Sequence, residues 1–363
     1  MNCKLIKLFC FFFCVLIVSP LATALNTPDS EANEWDQLTK EFSLNHEVDH
    51  PEVQKQIKKI LKHPEDLEKI TQQAKPYLYH ILQEIKKRNL PGELALIPMI
   101  ESEYDPFVKS SAGAAGLWQL MPHTSVELGI PKSWWVDGRR SIGPSTDAAL
   151  NYLAYLHRFF HGNWMLAVAA YDSGPTRVSR AIKSNHAKKQ FWTLSLPQET
   201  KAYIPHLLAL SEIIQHPDRY NIQLPPIPHK PYFKEVEVDK HMDPSHAAKL
   251  AEAPAKDIKR LNPGFKDWSK HPSHPYKLLI PTEHVDNFYR NLAHISDETY
   301  DKKKVKLSFL PETPQVTIRY RVKKGDNLRR IAHRHHIKVS VLKKLNPHMS
   351  NGRVKPGQEI RLK

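Results

Sequence analysis

The chain has 363 residues, 40% hydrophobic and 25% charged, with a formal net charge of +15. That balance excludes wholesale disorder, and the length suits two or three domains. The 29 prolines against 12 glycines favour helices with stiff joints over a glycine-turned β sandwich.

Lys4 and Lys7 precede an apolar run from Leu8 to Val18 that is too short to span a bilayer, and Ala22-Thr23-Ala24 supplies a small-residue cleavage site. Residues 1–24 are therefore expected to be an export signal, cleaved or kept as an anchor. Cys3, Cys10 and Cys14 all lie within it, so the mature chain has no thiol to mispair in an oxidising compartment. Removing Lys4 and Lys7, with no acid before Ala24, takes the charge from +15 to +13. A basic exported chain is drawn to the polyanions of the periplasm or cell envelope, the wall first and a membrane surface peripherally. Nucleic acid is not expected as a partner, since there is neither zinc-finger spacing nor an RNA-binding aromatic motif.

Residues 25–50 read as a polar lead-in. From 51 to 226 the pattern is one helix after another. Leu78, Ile81, Leu82 and Ile85 share one face after Pro76, and Pro91-Gly92 ends that helix. Glu93 to Ser102 is a strongly apolar helix ending in two polar residues. Ser145 reads as the N-cap of the next long helix, Gly162 as its end, and Pro175 as a first-turn residue. Trp164–Tyr171 and Thr200–Gln215 complete the helical block, with no alternating strand pattern. Pro225, Pro226, Pro228 and Pro231 make a stiff connector. Beyond it, residues 250–263 and 331–347 repeat the order helix, joint, helix, Leu-Asn-Pro, each followed by a short β-like end. The charged stretch 301–316 links the two copies.

The chemistry concentrates between Ile100 and Pro122. An apolar helix delivers Glu101 at its C-terminal end, where burial and the helix dipole both disfavour the ionised carboxyl. A carboxyl that holds its proton to neutrality can serve as a general acid towards a glycosidic oxygen. The small residues from Ser110 to Gly116 allow close backbone approach to a bulky ligand. Gln119 offers a donor and an acceptor to sugar groups, and Trp118 a flat apolar face. Residue types alone fit a capped helix with a small-residue packing turn equally well.

The segment resembles the active-site signature of the soluble lytic transglycosylase family, which is related to goose-type lysozyme. The family's Glu-Ser motif matches Glu101-Ser102. Its Gly-Leu-Met-Gln motif matches Gly116-Leu117-Trp118-Gln119, with Trp for Met. Its Ala-Tyr-Asn motif matches Ala170-Tyr171-Asp172, with Asp for Asn, and a later family tyrosine matches Tyr203. Order and spacing over residues 76–226 are most similar to the membrane-bound lytic transglycosylase D branch. The resemblance implies a mainly α, lysozyme-like catalytic domain over 51–226. It makes Glu101 the single catalytic group for cleaving the bond between N-acetylmuramic acid and N-acetylglucosamine, leaving a 1,6-anhydro end without water or a second carboxylate. It places Ser102, Ser110, Gly116, Gln119, Met121, Tyr171, Asp172 and Tyr203 at the substrate. Asp172 could instead admit water, which makes a muramidase the first rival reading; a catalytically silent wall-binding scaffold is the second.

Residues 317–363 resemble a LysM module, a small α+β unit of βααβ order that binds N-acetylglucosamine polymers. Tyr320-Arg321-Val322 is its first strand, Gly325-Asp326 its turn, Asn327 stands where Ser or Thr is usual, and Pro356-Gly357-Gln358 leads to its last strand. Residues 233–290 read as a degenerate copy without the opening Gly-Asp, a weak sugar binder or a spacer. His333, His335 and His336 do not share a helix face and have no adjacent carboxylate, so neither a metal nor any other cofactor is expected.

Overall fold

The structure is a computed structural model that describes residues 32–184, 190–238, 242–266, 276–294, 319–335, 337–347, 349 and 354–362. The expected export signal and the 301–316 linker lie outside them.

The lead-in is more ordered than its composition suggests. Helix α1 (Glu34–Lys40) is capped by Asn33 and buries Trp35 and Leu38. The Trp35 indole donates to Pro225 O at 2.9 Å, and Glu34 N to Ile227 O at 2.7 Å, so the proline connector is stitched back onto the start of the domain. Helices α2 (Pro51–Ile60), α3 (Pro64–Ala74) and α4 (Leu78–Lys87) follow, the first two opening on proline as a helix N-terminus permits. The apolar face of α4 is fully buried at Leu78, Ile81, Leu82 and Ile85. A 3-10 turn over Gly92–Leu96 leads into α5 (Ile97–Ser102), and α6 (Pro122–Glu127) comes after the small-residue loop.

The long helix α7 spans Ile142–Phe159, with Ser141 as its N-cap residue. Ser145, expected as the cap, lies one turn inside and is fully buried. Pro144 accounts for the correction: proline lacks only an N–H that a first turn leaves unpaired, so it marks the turn rather than its boundary. Helices α8 (Trp164–Ser173), α9 (Pro175–Ser184) and α10 (Gln198–Gln215) complete a helical domain whose core α7, α8 and α10 share. Arg88 ties α4 to α7, donating to Glu84 at 2.6 Å and Asn151 at 3.2 Å and pairing with Asp147.

Two βααβ units follow. The first is β1 (Phe233–Val238), α11 (Pro244–Ala251), α12 (Ala255–Leu261) and β2 (Tyr276–Pro281), the strands antiparallel with Val236 opposite Leu278. A further helix, α13 (Val285–Ala293), covers it with Phe288 and Leu292, closing a separate small core around Val236, Val238, Leu278 and Ile280. The second unit is β3 (Arg319–Arg321), α14 (Leu328–Arg334), α15 (Val339–Leu345) and β4 (Glu359–Arg361), also antiparallel.

The repeated Leu-Asn-Pro has a physical reason. Asn262 Nδ2 donates to Ile258 O and Leu279 O, both at 2.8 Å, and Oδ1 accepts from Leu279 N at 2.9 Å. Asn346 Nδ2 donates to Leu342 O and Arg361 O, both at 2.8 Å, and Oδ1 accepts from Arg361 N at 2.7 Å. In each copy one buried amide satisfies the end of the second helix and pins it to the last strand. Only a primary amide supplies two donors and an acceptor in that geometry.

Candidate active site

Helix α5 is cut short immediately after Glu101-Ser102. Glu103 and Tyr104 both take left-handed backbone, with φ 52° and 59°. Such conformations in non-glycine residues persist only where the surroundings hold them. Here Tyr104 is fully buried, its hydroxyl donates to Ala95 O at 2.6 Å, its N–H donates to Pro98 O at 3.0 Å, and its ring stacks on Tyr77. Glu101 therefore stands in the last turn of a helix whose end is fixed by a buried aromatic pair.

Burial dominates the electrostatics of Glu101 and pushes its pKa from an ordinary 4.5 to about 7; the Tyr203 hydrogen bond opposes this, and the charges of Asp172 and Glu199 add to it. The Tyr203 hydroxyl, from α10, donates to Glu101 Oε1 at 2.7 Å. Burial and the Glu101 charge hold the Tyr203 phenol far above its usual range, so it remains a donor at neutral pH. Tyr171 from α8 is held up likewise and donates to Trp118 O at 2.7 Å. Asp172 is raised by burial, against a hydrogen bond from Thr200.

Five carbonyls of the loop between Val108 and Leu120 are claimed by the side chains of Ser102, Gln119 and Arg139. Ser102 Oγ donates to Leu117 O at 2.9 Å, Gln119 Nε2 to Gly116 O at 2.8 Å and Val108 O at 3.2 Å, and Arg139 Nη1 to Gly113 O at 2.7 Å and Leu120 O at 3.2 Å. Gln119 itself sits at φ 43°. Ser110 Oγ accepts from Ala114 N at 3.0 Å at the loop's entry. A groove of about 540 Å³ is walled by Met121, His123, Tyr152, Tyr171, Asp172 and Arg180 among others; Glu101 and Gln119 are not among its lining residues. A second cavity of about 530 Å³, lined by residues such as His161, Trp164 and Leu208, holds none of the candidate residues.

Three sequence expectations change. Ser102 is buried and spends its hydroxyl on the carbonyls of Leu117 and Pro98, so it supports the loop from beneath rather than facing substrate. Gly116 is buried too. A Cβ there would stand 2.1 Å from Arg139 O, and φ is +83°, so the neighbouring backbone and not a ligand demands the glycine. Trp118 is fully buried with its indole donating to Thr146 Oγ1 at 3.0 Å, which leaves no face for stacking on a sugar. Glu103 is exposed and pairs with Lys69 at 3.8 Å, and Asp105 caps its own turn through Phe107 N at 2.9 Å; neither joins the site. Sequence reading missed Glu199, Thr200 and the buried Asp137–Arg139 pair. The last had a signal, two opposite charges two residues apart in Asp137-Gly138-Arg139. Among the described residues no His, Cys, Asp or Glu cluster has the form of a metal site.

The family model described as "Transglycosylase SLT domain" matches residues 79–193. That of the "Lytic transglycosylase MltD, LysM-like domain" matches 232–297, and "LysM domain" matches 320–363. The chain is 36% identical over 311 residues to membrane-bound lytic murein transglycosylase D of Escherichia coli K12, covering 85% of this chain and 68% of that protein. It is 32% identical over 132 residues to the soluble lytic murein transglycosylase of the same strain, covering 34% of this chain and 20% of that one. The crystal structure of the 70 kDa soluble lytic transglycosylase of E. coli overlaps 38% of this chain and 24% of that chain at 27% identity and a TM-score of 0.32.

Proposed function

The chain belongs to the membrane-bound lytic murein transglycosylase D family, and on that premise we propose that Glu101 is the single catalytic carboxyl group of a peptidoglycan lytic transglycosylase. The observation that carries this is a carboxyl group raised to about 7 and oriented by one phenol. A group with that pKa is populated in both protonation states near neutrality, which suits an acid that must become a base within one turnover.

In the first half, protonated Glu101 gives its proton to the glycosidic oxygen as the bond to C1 of the muramoyl residue breaks. The departing strand leaves as a neutral alcohol, and the muramoyl ring carries oxocarbenium character. In the second half, the Glu101 carboxylate takes the proton of the muramoyl 6-hydroxyl as that oxygen closes on C1. The product is a 1,6-anhydro end, the proton returns to Glu101, and no water is consumed. Tyr203 supports this second half: its hydrogen bond stabilises the ionised form that burial disfavours. Gln119 has its amide nitrogen engaged twice within the loop, which leaves its carbonyl oxygen to accept from sugar N–H or O–H groups. Met121, Tyr171 and Asp172 wall the groove, and Ser110 stands at the start of the Gln119 loop. The Asp172 carboxyl accepts from Thr200, the hydrogen bond an asparagine could also make, so it supports positioning and not activation of water.

We place the 317–363 module on N-acetylglucosamine-containing strands, where a tether to the catalytic domain raises local substrate concentration. The apolar segment and Ala22-Thr23-Ala24 fit export to the envelope. No helix among the described residues is long and apolar enough to cross a membrane.

The test is mass spectrometry of muropeptides released from purified sacculi, with Glu101→Gln beside the parent. Products one water lighter than hydrolytic ones, absent with the variant, are expected. Reducing ends would make the chain a muramidase; binding without release would make it a scaffold.

A further inference from the structure

The first βααβ unit meets the catalytic domain at Phe233, at Arg260 and at the turn from Asn262 to Lys266, and that turn reaches the active-site loop through a buried ion pair. Gly264 O accepts from Asp137 N at 2.8 Å, and Lys266 N donates to Trp135 O at 2.8 Å. The Phe265 ring stacks on Trp135 with centroids 5.5 Å apart. The approach is close: a Cβ at Gly264 would lie 2.2 Å from Ser141 Oγ and 3.3 Å from both Asp137 O and Ser141 Cβ. Asn262, at the start of this turn, is the residue that pins it to β2. The segment 133–137 is thus gripped by a folded unit and not by a passing loop.

From Asp137 the connection runs inward. Asp137 Oδ1 and Oδ2 accept from Arg139 Nε at 2.9 Å and Nη2 at 2.7 Å, a two-pronged pair with Arg139 only 5% exposed. The remaining prong, Nη1, holds Gly113 O and Leu120 O, and the Arg139 backbone abuts Gly116. One guanidinium therefore closes both ends of the loop that carries Gln119. A second route exists. Arg260 Nε donates to the Tyr77 hydroxyl at 3.2 Å, and Tyr77 stacks on Tyr104, the residue that ends α5 beside Glu101.

We propose that the 232–294 unit is a brace for the active site, acting through Asp137 and Arg139 as positioning residues, and that glycan cleavage depends on it for turnover and not for wall binding. A displaced turn withdraws the partner of Asp137 N, the Asp137–Arg139 pair shifts, and both ends of the Gly113–Leu120 loop are released together. A misplacement of about 1 Å in such supports can cost up to about a hundredfold in rate. Only the activity arm rests on the proposed glycan cleavage.

The experiment uses the full chain with Gly264→Val, whose branched side chain cannot fit the turn, Arg139→Lys, and the double variant. Lysine keeps the charge towards Asp137 but cannot hold the carboxylate and both carbonyls at once. Hydrogen exchange of residues 113–120 is expected to accelerate at least tenfold in each single variant while α7 and α10 stay protected. Turnover on soluble glycan strands is expected to fall about tenfold or more with KM within twofold and sacculus binding unchanged. The double variant is expected to match the worse single one, because both cut one connection. Unchanged loop exchange in Gly264→Val overturns the brace, whatever the activity. Multiplicative losses overturn the connection through Arg139. A loss confined to sacculus binding makes the unit a sugar binder instead. Should the parent release no anhydro products, the proposed reaction fails while the exchange measurement still decides the brace.

Discussion

Replacing Glu101 by glutamine should stabilise the protein, and increasingly so as the pH rises from about 4.5 to about 7. In the unfolded chain the carboxyl ionises near its ordinary 4.5, whereas in the folded protein burial keeps it protonated to about 7. Between those values the folded state binds more protons than the unfolded one, so stability falls as pH rises through that window and levels off above it. The full span corresponds to roughly 3 kcal/mol. Glu101 is partly open to solvent, so about half of that is expected after screening. Glutamine is neutral throughout and still accepts from Tyr203 with its carbonyl oxygen. The stability difference between variant and parent should therefore grow by about 1–2 kcal/mol from pH 4 to pH 8. Urea unfolding at several pH values reads this directly, and a constant offset between the two titrations cancels any packing effect of the substitution. A flat difference would refute the reasoning, because it would mean that Glu101 titrates alike in both states. A difference growing towards acid would mean that hydrogen bonding outweighs burial.

Three further outcomes follow from the same site and from the last module. Tyr203→Phe removes the donor at Glu101 Oε1 that favours the ionised form, so the alkaline limb of kcat/KM should move up by about one pH unit. Turnover at the plateau should fall as well, since a weaker acid remains and the carboxyl group loses the donor that orients it; an unmoved limb would remove Tyr203 from the titration. Asp172→Asn should leave the product distribution unchanged and turnover within about threefold, because the Thr200 hydroxyl keeps its acceptor; reducing-end products in the parent that vanish in this variant would restore a hydrolytic role. Asn346→Ala strands Arg361 N and the carbonyls of Leu342 and Arg361, which should cost the last module at least about 2 kcal/mol and weaken sacculus pelleting while leaving cleavage of soluble strands intact. Equal pelleting would take wall binding away from this module.

The parts of the site that were legible in the sequence are those whose side chains are proposed to do the chemistry. Glu101 at the end of an apolar helix and Gln119 in a small-residue turn are suggested by their residue types, and the family resemblance adds the two tyrosines and decides against a mere packing turn. What stayed illegible depends on direction. Ser102 and Trp118 have side chains that could face either way, and whether each meets a sugar or a neighbouring carbonyl is settled only by packing. Gly116 shows the same ambiguity for backbone: the need for a missing Cβ is readable, but the Arg139 carbonyl that imposes it is 23 positions along the chain. Thr200 and Glu199 were hidden for another reason, since one turn of α10 brings them to Asp172 and Glu101 with no motif of their own. The helix starts were nearly right, and the error at Ser145 came from reading a serine as a cap when Pro144 already occupied the first turn.

The two βααβ copies show how one framework can serve two ends. The asparagine after the second helix makes the same three hydrogen bonds in each, so the fold does not distinguish them. The difference lies in what the turns are free to do. In the first copy the turn from Asn262 to Lys266 is spent on Asp137, Trp135 and Ser133 of the catalytic domain. In the second, the opening turn is organised by Asp326. Burial alone would raise its carboxyl, but the Tyr320 hydroxyl at 2.6 Å, Lys323 N at 2.9 Å and Arg334 at 3.0 Å prevail and hold it below the usual carboxylate range. An aspartate whose ionised form these donors favour shapes the loop where the first copy has no Gly-Asp at all. The first copy lacks that loop and keeps the asparagine clamp, so its fold and its docking on the catalytic domain do not depend on the Gly-Asp turn.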